Sequence, residues 1–376
     1  MSDESKGQTD KRDTITPDEH GNIWIWAIML VALFSAIGFV TTWDVYQDEA
    51  AATQRHDDWM NPDVGEGGTK PPPAALPAGA NPLRVDGGIY LDRIPDLSEQ
   101  TSSWTADFYV WFRWRGEQAD PGEDLLVVDG SIDSKEKQDE YTSGDEHYTL
   151  YRVIARITKP FDVQRFPRAD HLLTIDLEPP AALRDKLLFV ADNENSGVSS
   201  RVEIPGYSID KSGVIEKPHA YRSTLGDPRL AAGTDQVVSQ LRMGLVVLQH
   251  HDWGFYFKMF AALFAAVAVA LTAFFLKPTD GSRFGIGVGA LFAAVANTYV
   301  NSQLVPHTGV ITLTDMVNLV GIMTIGLSIL QSTISVILYD TKGKEALSRL
   351  FDRVSFAIFL VGYVLINLAL PWAATF

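Results

Sequence analysis

The segment Ser282–Pro306 reads SRFGIGVGALFAAVANTYVNSQLVP, and its 21 residues from Phe284 to Leu304 carry no charge. At about 1.5 Å per residue they form about 30 Å of helix, the thickness of the hydrocarbon core of a bilayer. Glycines four residues apart, such as Gly285 and Gly289, let helix backbones approach closely. The segment also carries three amide side chains, which at membrane depth normally face protein or water. The pattern predicts a helix that is packed among other helices or lines a pore, and both remain open.

The charge of the chain is concentrated in one segment. The protein has 376 residues, no cysteine and a formal net charge of −16, and Asp44–Gly254 holds 36 acidic and 21 basic side chains. Without cysteine, disulfides and thiolate metal sites are excluded. A solvated acidic segment disfavours nucleic acid as a partner and favours cations or basic ligands, unless the acidity serves solubility alone.

The N-terminal part predicts a membrane anchor followed by a linker. Residues 1–21 are polar and predict a disordered tail, and residues 22–43 contain an apolar run with tryptophans near its ends, as in a transmembrane helix. A cleaved signal peptide is the alternative, although no small-residue cleavage site follows directly. Basic residues precede the run and acidic residues follow it, which predicts a cytoplasmic N-terminus. Residues 44–82 are rich in Pro, Gly and Ala and predict a semi-rigid linker outside the cytoplasm.

Residues 83–254 predict an all-β domain, because short alternating runs recur between turn signals. About eight strands in this length indicate a β-sandwich. The candidate strands are Gly88–Leu91, Asp107–Arg115, Leu125–Val128, Tyr148–Ile157, Leu172–Leu177, Leu187–Ala191, Val202–Ile209 and Val237–Leu248.

Residues 255–376 predict a domain of four membrane helices. The apolar spans are Phe255–Leu276, Phe284–Leu304, Leu313–Leu338 and Val354–Pro371. If the β domain lies outside, both basic loops of this region, around Lys277 and around Lys342, fall on the cytoplasmic side, as the positive-inside rule requires. The sequence thus predicts a multi-pass protein of a bacterial inner membrane, with its β domain periplasmic or extracellular and its C-terminus outside.

This order of elements, together with four motifs, resembles the pentameric ligand-gated ion channels, or Cys-loop receptors, and in particular their prokaryotic branch. The motifs are VDGGIYL from Val85 with ADFYVWFRW from Ala106, VQRFPRADHLLTIDLE from Val163, LQHHDWGFY from Leu248, and the segment Ser282–Pro306. They are similar to the first two strands, the signature loop, the entry to the first channel helix and the pore helix of that family. The resemblance covers about residues 83–376 and implies a homopentamer in a lipid bilayer.

The chain also departs from that family. The signature loop usually reads Phe-Pro-Phe-Asp, whereas here it reads Phe166-Pro167-Arg168-Ala169 and has no flanking cysteines. Phe255–Leu276 lacks the proline usual in the first channel helix. The N-terminal span and its linker lie outside the family pattern.

The resemblance implies that the second of the four helices lines a pore. With Arg283 and Pro306 as anchors, the lining face has steps of four and three residues, the period of a helix that faces a central axis. Its residues are Gly285, Gly289, Phe292, Ala296, Tyr299 and Gln303. Five copies of Phe292 would form an apolar ring that gates by dewetting, although Phe292 could equally pack against Leu313–Leu338. Asp280 and Arg283 are predicted as charges at the pore mouth, and the acidic outer domain favours cations.

The resemblance also implies how the two domains communicate. Phe166 and Pro167 are predicted to press on the loop that begins with Pro306 and His307, and the other reading of Phe166-Pro167 is an ordinary buried turn.

An unknown small molecule or ion is the predicted ligand, held in an aromatic cage that binds a cation over ring faces. Phe189 and Tyr221 are the candidates, with membership of the domain core as the alternative. The acidic segment Asp133–His147 reads as a solvated loop or a divalent-cation site, and it lacks an ordered ligand spacing.

The residues favour no catalytic function. The eight histidines show no metal spacing, and phosphate loops and nucleophile elbows are absent from the sequence. We therefore expect no enzyme, no cofactor and no resident metal. Two functions remain, a ligand-gated channel and a non-conducting membrane receptor or scaffold of the same fold.

Overall fold

A computed structural model describes residues 15–65, 76–116, 120–180, 182–228, 230–231, 233–249, 253–305 and 309–374. The chain divides into two compact units. The β unit comprises Ala51–Asp162 and Ala169–His250, and the helical unit comprises the chain up to Ala50, the segment Val163–Arg168 and the chain from His251 onward.

The β unit contains ten strands in two sheets among its described residues. They are β1 Leu83–Ser98, β2 Ser103–Arg115, β3 Leu126–Val127, β4 Gly130–Ser143, β5 Glu146–Thr158, β6 Asp170–Glu178, β7 Leu187–Ala191, β8 Gly197–Val198, β9 Tyr207–Tyr221 and β10 Gln236–Gln249. One sheet has the order β4-β5-β2-β1-β7 with β8 beside β1, and the other has the order β3-β6-β10-β9. The β1–β7 and β1–β8 pairs are parallel, and the other pairs are antiparallel.

A single hydrophobic core is shared by the two sheets. In β2 every second side chain from Trp104 to Trp114 is buried, as expected for a strand with one face on the core. Phe108 and Val153 enter this core from the first sheet, and Leu241 and Met243 enter it from the second.

β1 is much longer than the predicted Gly88–Leu91, and the two-residue strand β8 was not predicted. Two further strands, β4 and β9, differ from the prediction, and each lies at the edge of a sheet. β4 occupies most of Asp133–His147, which the sequence suggested to be a loop, and nearly all its side chains are exposed or only partly buried. β9 begins at Tyr207, so the predicted strand Val202–Ile209 is wrong over most of its length. An edge strand has one neighbour and is often kept charged to prevent further pairing, so an apolar alternation is not required there.

The described residues include five helices that are long and apolar enough to cross a membrane. They are α1 Pro17–Met60, α2 Trp253–Thr272 with a 3₁₀ turn at Ala273–Phe275, α3 Ser282–Ser302, α4 Leu313–Val336 with a π-helical turn at Ile337–Thr341, and α5 Glu345–Ala373. The chain is therefore a membrane protein by the length and composition of its helices. Phe260, Val317 and Phe359 lie in the core of the helical unit.

Helix α1 corrects the predicted N-terminal boundaries. It begins at Pro17, inside the predicted tail, and continues to Met60, so residues 44–60 are helical rather than part of the linker. Residues 47–55 are mostly good helix formers, the whole stretch contains no glycine or proline, and the first proline after it is Pro62. Its start has a capping box, in which Thr16 Oγ1 accepts from the N–H of Glu19 at 3.4 Å and a Glu19 oxygen accepts from the N–H of Thr16 at 2.9 Å.

Within the helical unit, α1 packs along α5. Trp26 Nε1 donates to Ser355 Oγ at 3.3 Å, and Lys344 Nζ lies 3.1 Å from Glu19 Oε1. A Cβ added at Gly362 would lie 2.7 Å from the ring of Phe34, so α1 and α5 approach closely at this glycine. The N-terminal helix is therefore an integral part of the helical unit.

Candidate functional site

One face of α3 packs inside the helical unit. Its buried residues follow steps of four and three and are mostly small or amide side chains, namely Arg283, Gly287, Ala290, Ala294, Asn297 and Asn301. A Cβ added at Gly287 would lie 2.6 Å from the side chain of Ile329 in α4. The two helices therefore approach each other as closely as their small residues allow.

The opposite face of α3 is uncovered. All six residues predicted to line a pore are exposed in the chain, namely Gly285, Gly289, Phe292, Ala296, Tyr299 and Gln303. Phe292 is 73% exposed and Tyr299 is 70% exposed. Phe292 thus does not pack as a knob against α4 within one subunit, which was the alternative reading.

Of the two amides on the buried face, Asn297 has a side-chain partner in α4, whereas the Nδ2 of Asn301 is buried without a hydrogen bond to any residue that the structure describes. Asn297 Nδ2 donates to Asn318 Oδ1 at 3.1 Å, and Asn318 Nδ2 donates to the carbonyl of Thr314 at 2.9 Å. The first bond connects α3 to α4 in the buried interior and favours the orientation in which this face of α3 turns inward; the second lies within α4 and orients the Asn318 amide.

Arg283 is not at a pore mouth in this structure, which corrects the prediction. Its side chain is buried, with Nη2 3.1 Å from Asp352 Oδ2 in α5 and Nη1 3.3 Å from Ser335 Oγ in α4. Ser335 also donates to Asp352 at 2.9 Å. The physical reason is that a buried guanidinium requires a counter-charge, and Asp352 provides it from another helix.

Asp280, the other predicted pore-mouth charge, is exposed just before α3. Its Oδ1 accepts from the N–H of Ser282 at 2.9 Å and from the hydroxyl of Ser282 at 2.5 Å. The hydroxyl and the N–H of Ser282 hold the pKa of Asp280 below its ordinary value, so this carboxylate is charged at neutral pH.

The segment Val163–Arg168 lies on the start of α4. The N–H of Leu313 donates to the carbonyl of Gln164 at 2.7 Å, and Thr314 Oγ1 donates to the carbonyl of Phe166 at 3.0 Å. A helix leaves its first N–H groups without internal partners, and this segment satisfies one of them. Phe166 is buried and joined to Pro167 by a cis peptide bond. The predicted partners Pro306 and His307 lie outside the described residues.

A capping box marks the beginning of α4. Thr312 Oγ1 accepts from the N–H of Asp315 at 3.1 Å, and Asp315 Oδ2 accepts from the N–H of Thr312 at 2.9 Å. The first turn of α4 is thus fixed at the place where Val163–Arg168 contacts it. Arg168 lies 5.2 Å from the ring centroid of Trp253 at the start of α2, so the same segment contacts two helices.

The two residues predicted to bind a ligand are engaged elsewhere. Phe189 is 1% exposed and contacts Phe112 with ring centroids 5.7 Å apart, so it belongs to the core and cannot contact a ligand. Tyr221 is partly buried, and its hydroxyl donates to Glu178 Oε2 at 2.6 Å. Strand aromatics alternate between core and surface, and a pattern of aromatics alone does not separate a cage from a core.

A cluster of cations in the β unit, at the end of α1, was not predicted from the sequence. Lys217 Nζ donates to the carbonyls of Asp58 and Trp59 at 3.0 and 2.9 Å, and Arg242 Nη1 donates to the carbonyl of Trp59 at 3.0 Å. The Trp59 ring also has Lys159 Nζ 3.9 Å from its centroid. Cations at a helix C-terminus donate hydrogen bonds to its free carbonyls and interact favourably with the negative end of its dipole. The one sequence signal for a helix end here is Pro62, which follows Asn61 and cannot continue a helix.

No protein-family model matches this sequence, and no curated protein is significantly similar to it.

Proposed function

We propose that the chain is one subunit of a homopentameric ligand-gated ion channel whose pore is lined by α3. The observation that carries the proposal is the uncovered face from Gly285 to Gln303. It combines glycines, alanine, an amide and two large aromatic rings at the steps of a helix that faces an axis. A lipid-facing surface has little use for glycine and glutamine, whereas five copies around an axis would cover this face with one another.

The arrangement of the units supports the same proposal. Two sheets around one core precede four membrane helices in sequence, which we interpret as a β-sandwich ligand-binding domain followed by a channel domain. The contacts of Val163–Arg168 with Leu313 and Thr314 supply a route by which a change in the β domain would reach α4. The ligand is an unidentified small molecule or ion, and Phe189 is no longer a candidate for its site.

The charges at the start of α3 favour cations. Arg283 is neutralised by Asp352 inside the subunit, which leaves Asp280 as the exposed charge nearest the start of α3; the exposed Lys277 lies three residues earlier, beside the end of α2. Five copies of Asp280 would form an acidic ring at the mouth of the pore, and acidic rings select cations. We further propose a bacterial inner membrane, a cytoplasmic N-terminus and a periplasmic β domain, because the basic loops at Lys277 and Lys342 then lie inside.

The test is ion flux into liposomes that contain the purified protein, with and without Phe292→Ser. If Phe292 forms an apolar ring, the variant wets the constriction and should raise the resting flux severalfold while native mass spectrometry still shows a pentamer. Phe257→Ser is the matched control, because it removes an exposed ring from α2, outside the predicted pore.

Three results would contradict the proposal. Phe292→Ser pentamers that leak no more than the parent would show that α3 does not line a pore. A stable pentamer without flux in the parent or the variant would favour the non-conducting receptor or scaffold. An assembly of another symmetry would remove the central axis on which the argument rests.

A further inference from the structure

Three of the membrane helices end around a small pocket in the helical unit. The pocket has a volume of about 260 Å³ and is lined by Phe275, Lys277, Tyr339, Arg349 and Arg353, among others. Lys277 follows the 3₁₀ turn that ends α2, Tyr339 lies in the π-helical turn that ends α4, and the two arginines lie in the first turns of α5. The ends of three candidate spans at one level indicate the interface between hydrocarbon and water.

The pocket carries an excess of positive charge. Of its three cations, Arg349 pairs with Glu345, whereas Lys277 and Arg353 are exposed and form no ion pair with any residue that the structure describes. Its one carboxylate, Asp352, is turned inward to Arg283. Two cations are therefore available to an anion at this depth.

An apolar wall adjoins these cations. Phe275 is 73% exposed, and its ring centroid lies 4.7 Å from that of Phe356 in α5. A soluble anion gains nothing from such a wall, whereas a molecule with a charged head and hydrocarbon chains contacts both parts at once.

We propose that this pocket binds the phosphate headgroup of an anionic phospholipid. Lys277 and Arg353 hold the headgroup, and Phe275 and Phe356 contact the first part of an acyl chain. The site would tie α2, α4 and α5 together through one lipid molecule. It requires only that these helices span a bilayer, and it does not depend on conduction.

Native mass spectrometry of the full-length protein in detergent tests the proposal, with phosphatidylglycerol and phosphatidylcholine of equal chain length as probes. The parent should bind phosphatidylglycerol in preference, and Lys277→Gln with Arg353→Gln should weaken that binding about 30-fold. At 1.4 kcal/mol per tenfold, this is about 1 kcal/mol for each cation. Both side chains are exposed, so the thermal unfolding midpoint without lipid should stay the same.

Lys258→Gln is the control, because Lys258 is an exposed lysine at the opposite end of α2 and its loss should leave the preference intact. Three results would overturn the proposal: equal binding of the two lipids by the parent, a preference that survives the double variant, or an equal loss in Lys258→Gln. Displacement of the lipid by excess inorganic phosphate would assign the pocket to a soluble anion instead.

Discussion

Replacing Asp352 by Asn tests the interior ion pair on which the orientation of α3 depends. The carboxylate lies 3.1 Å from Arg283 Nη2, and both side chains are almost fully buried. Removing one partner of a buried pair costs about 3–5 kcal/mol, since the other charge is left uncompensated. The Asn oxygen can still accept from Ser335, so we expect the lower end, about 3 kcal/mol. At about 2–4 °C per kcal/mol, the unfolding midpoint should fall by about 6–12 °C.

The assay is thermal unfolding of the purified protein in detergent, followed by intrinsic tryptophan fluorescence. The double variant Arg283→Met with Asp352→Leu removes both charges and should unfold near the parent or above it, because apolar replacements of a buried pair are often neutral or stabilising. Asp280→Asn, which changes an exposed carboxylate just before α3, should stay within about 0.5 kcal/mol of the parent. If Asp352→Asn also leaves the midpoint unchanged, Arg283 is not buried against Asp352, and its assignment to the interior is wrong.

Two further predictions concern packing and pH. Gly321→Ala should lower stability by about 1–3 kcal/mol in the same assay, because its Cβ would lie 2.6 Å from Leu263 in α2; Gly326→Ala, in the same helix with no atom within 4 Å, should be neutral or stabilising, and equal effects would contradict the argument. In the β unit, hydrogen bonds from Arg152 and Arg93 hold the pKa of Asp107 below its ordinary value. The charged Asp107 therefore stabilises the fold above about pH 4, and this stabilisation is lost as the pH falls through the lower pKa of the folded state. The difference in melting midpoint between parent and Asp107→Asn should therefore be constant near neutral pH and shrink below about pH 4, and a difference that is equal at all pH values would refute this.

Strands with an apolar alternation were predictable, including the edge strand β7, whereas the charged edge strand β4 was not. In β2 and β5, every second side chain faces the core, so apolar residues alternate with others along the sequence, and this pattern predicts a strand. β4 pairs with β5 alone, and its exposed charged side chains resemble those of a solvated loop. β4 is a strand because it pairs with β5 over nearly its whole length, and this pairing cannot be recognised from the residues of β4 alone.

The length of α1 is indicated by its helix-forming residues, although the end of its apolar run suggests a shorter helix. The change from apolar to charged residues at Asp44 predicts the end of a membrane span, whereas the helix itself continues to Met60, just before Asn61-Pro62. Hydropathy marks the part of a helix that fits a bilayer, whereas propensity and breakers mark where the helix itself ends. The Thr-x-x-Glu capping box at Thr16 likewise indicates the start of the helix, ahead of the apolar run that begins at Ile23.

The same distinction explains why the candidate site was predicted only in part. The small residues on one side of α3 require a closely packed neighbour, and the buried residues follow steps of four and three; the six residues predicted to line a pore all lie outside this buried face. The fate of Arg283 depends on Asp352, which belongs to a helix far away in sequence, and no spacing within α3 reveals that pairing. The consequence concerns charge, because an exposed Arg283 would offset the charge of Asp280, whereas the buried Arg283 does not. For the proposed pore, we therefore expect ion selection to depend on a contact inside the subunit.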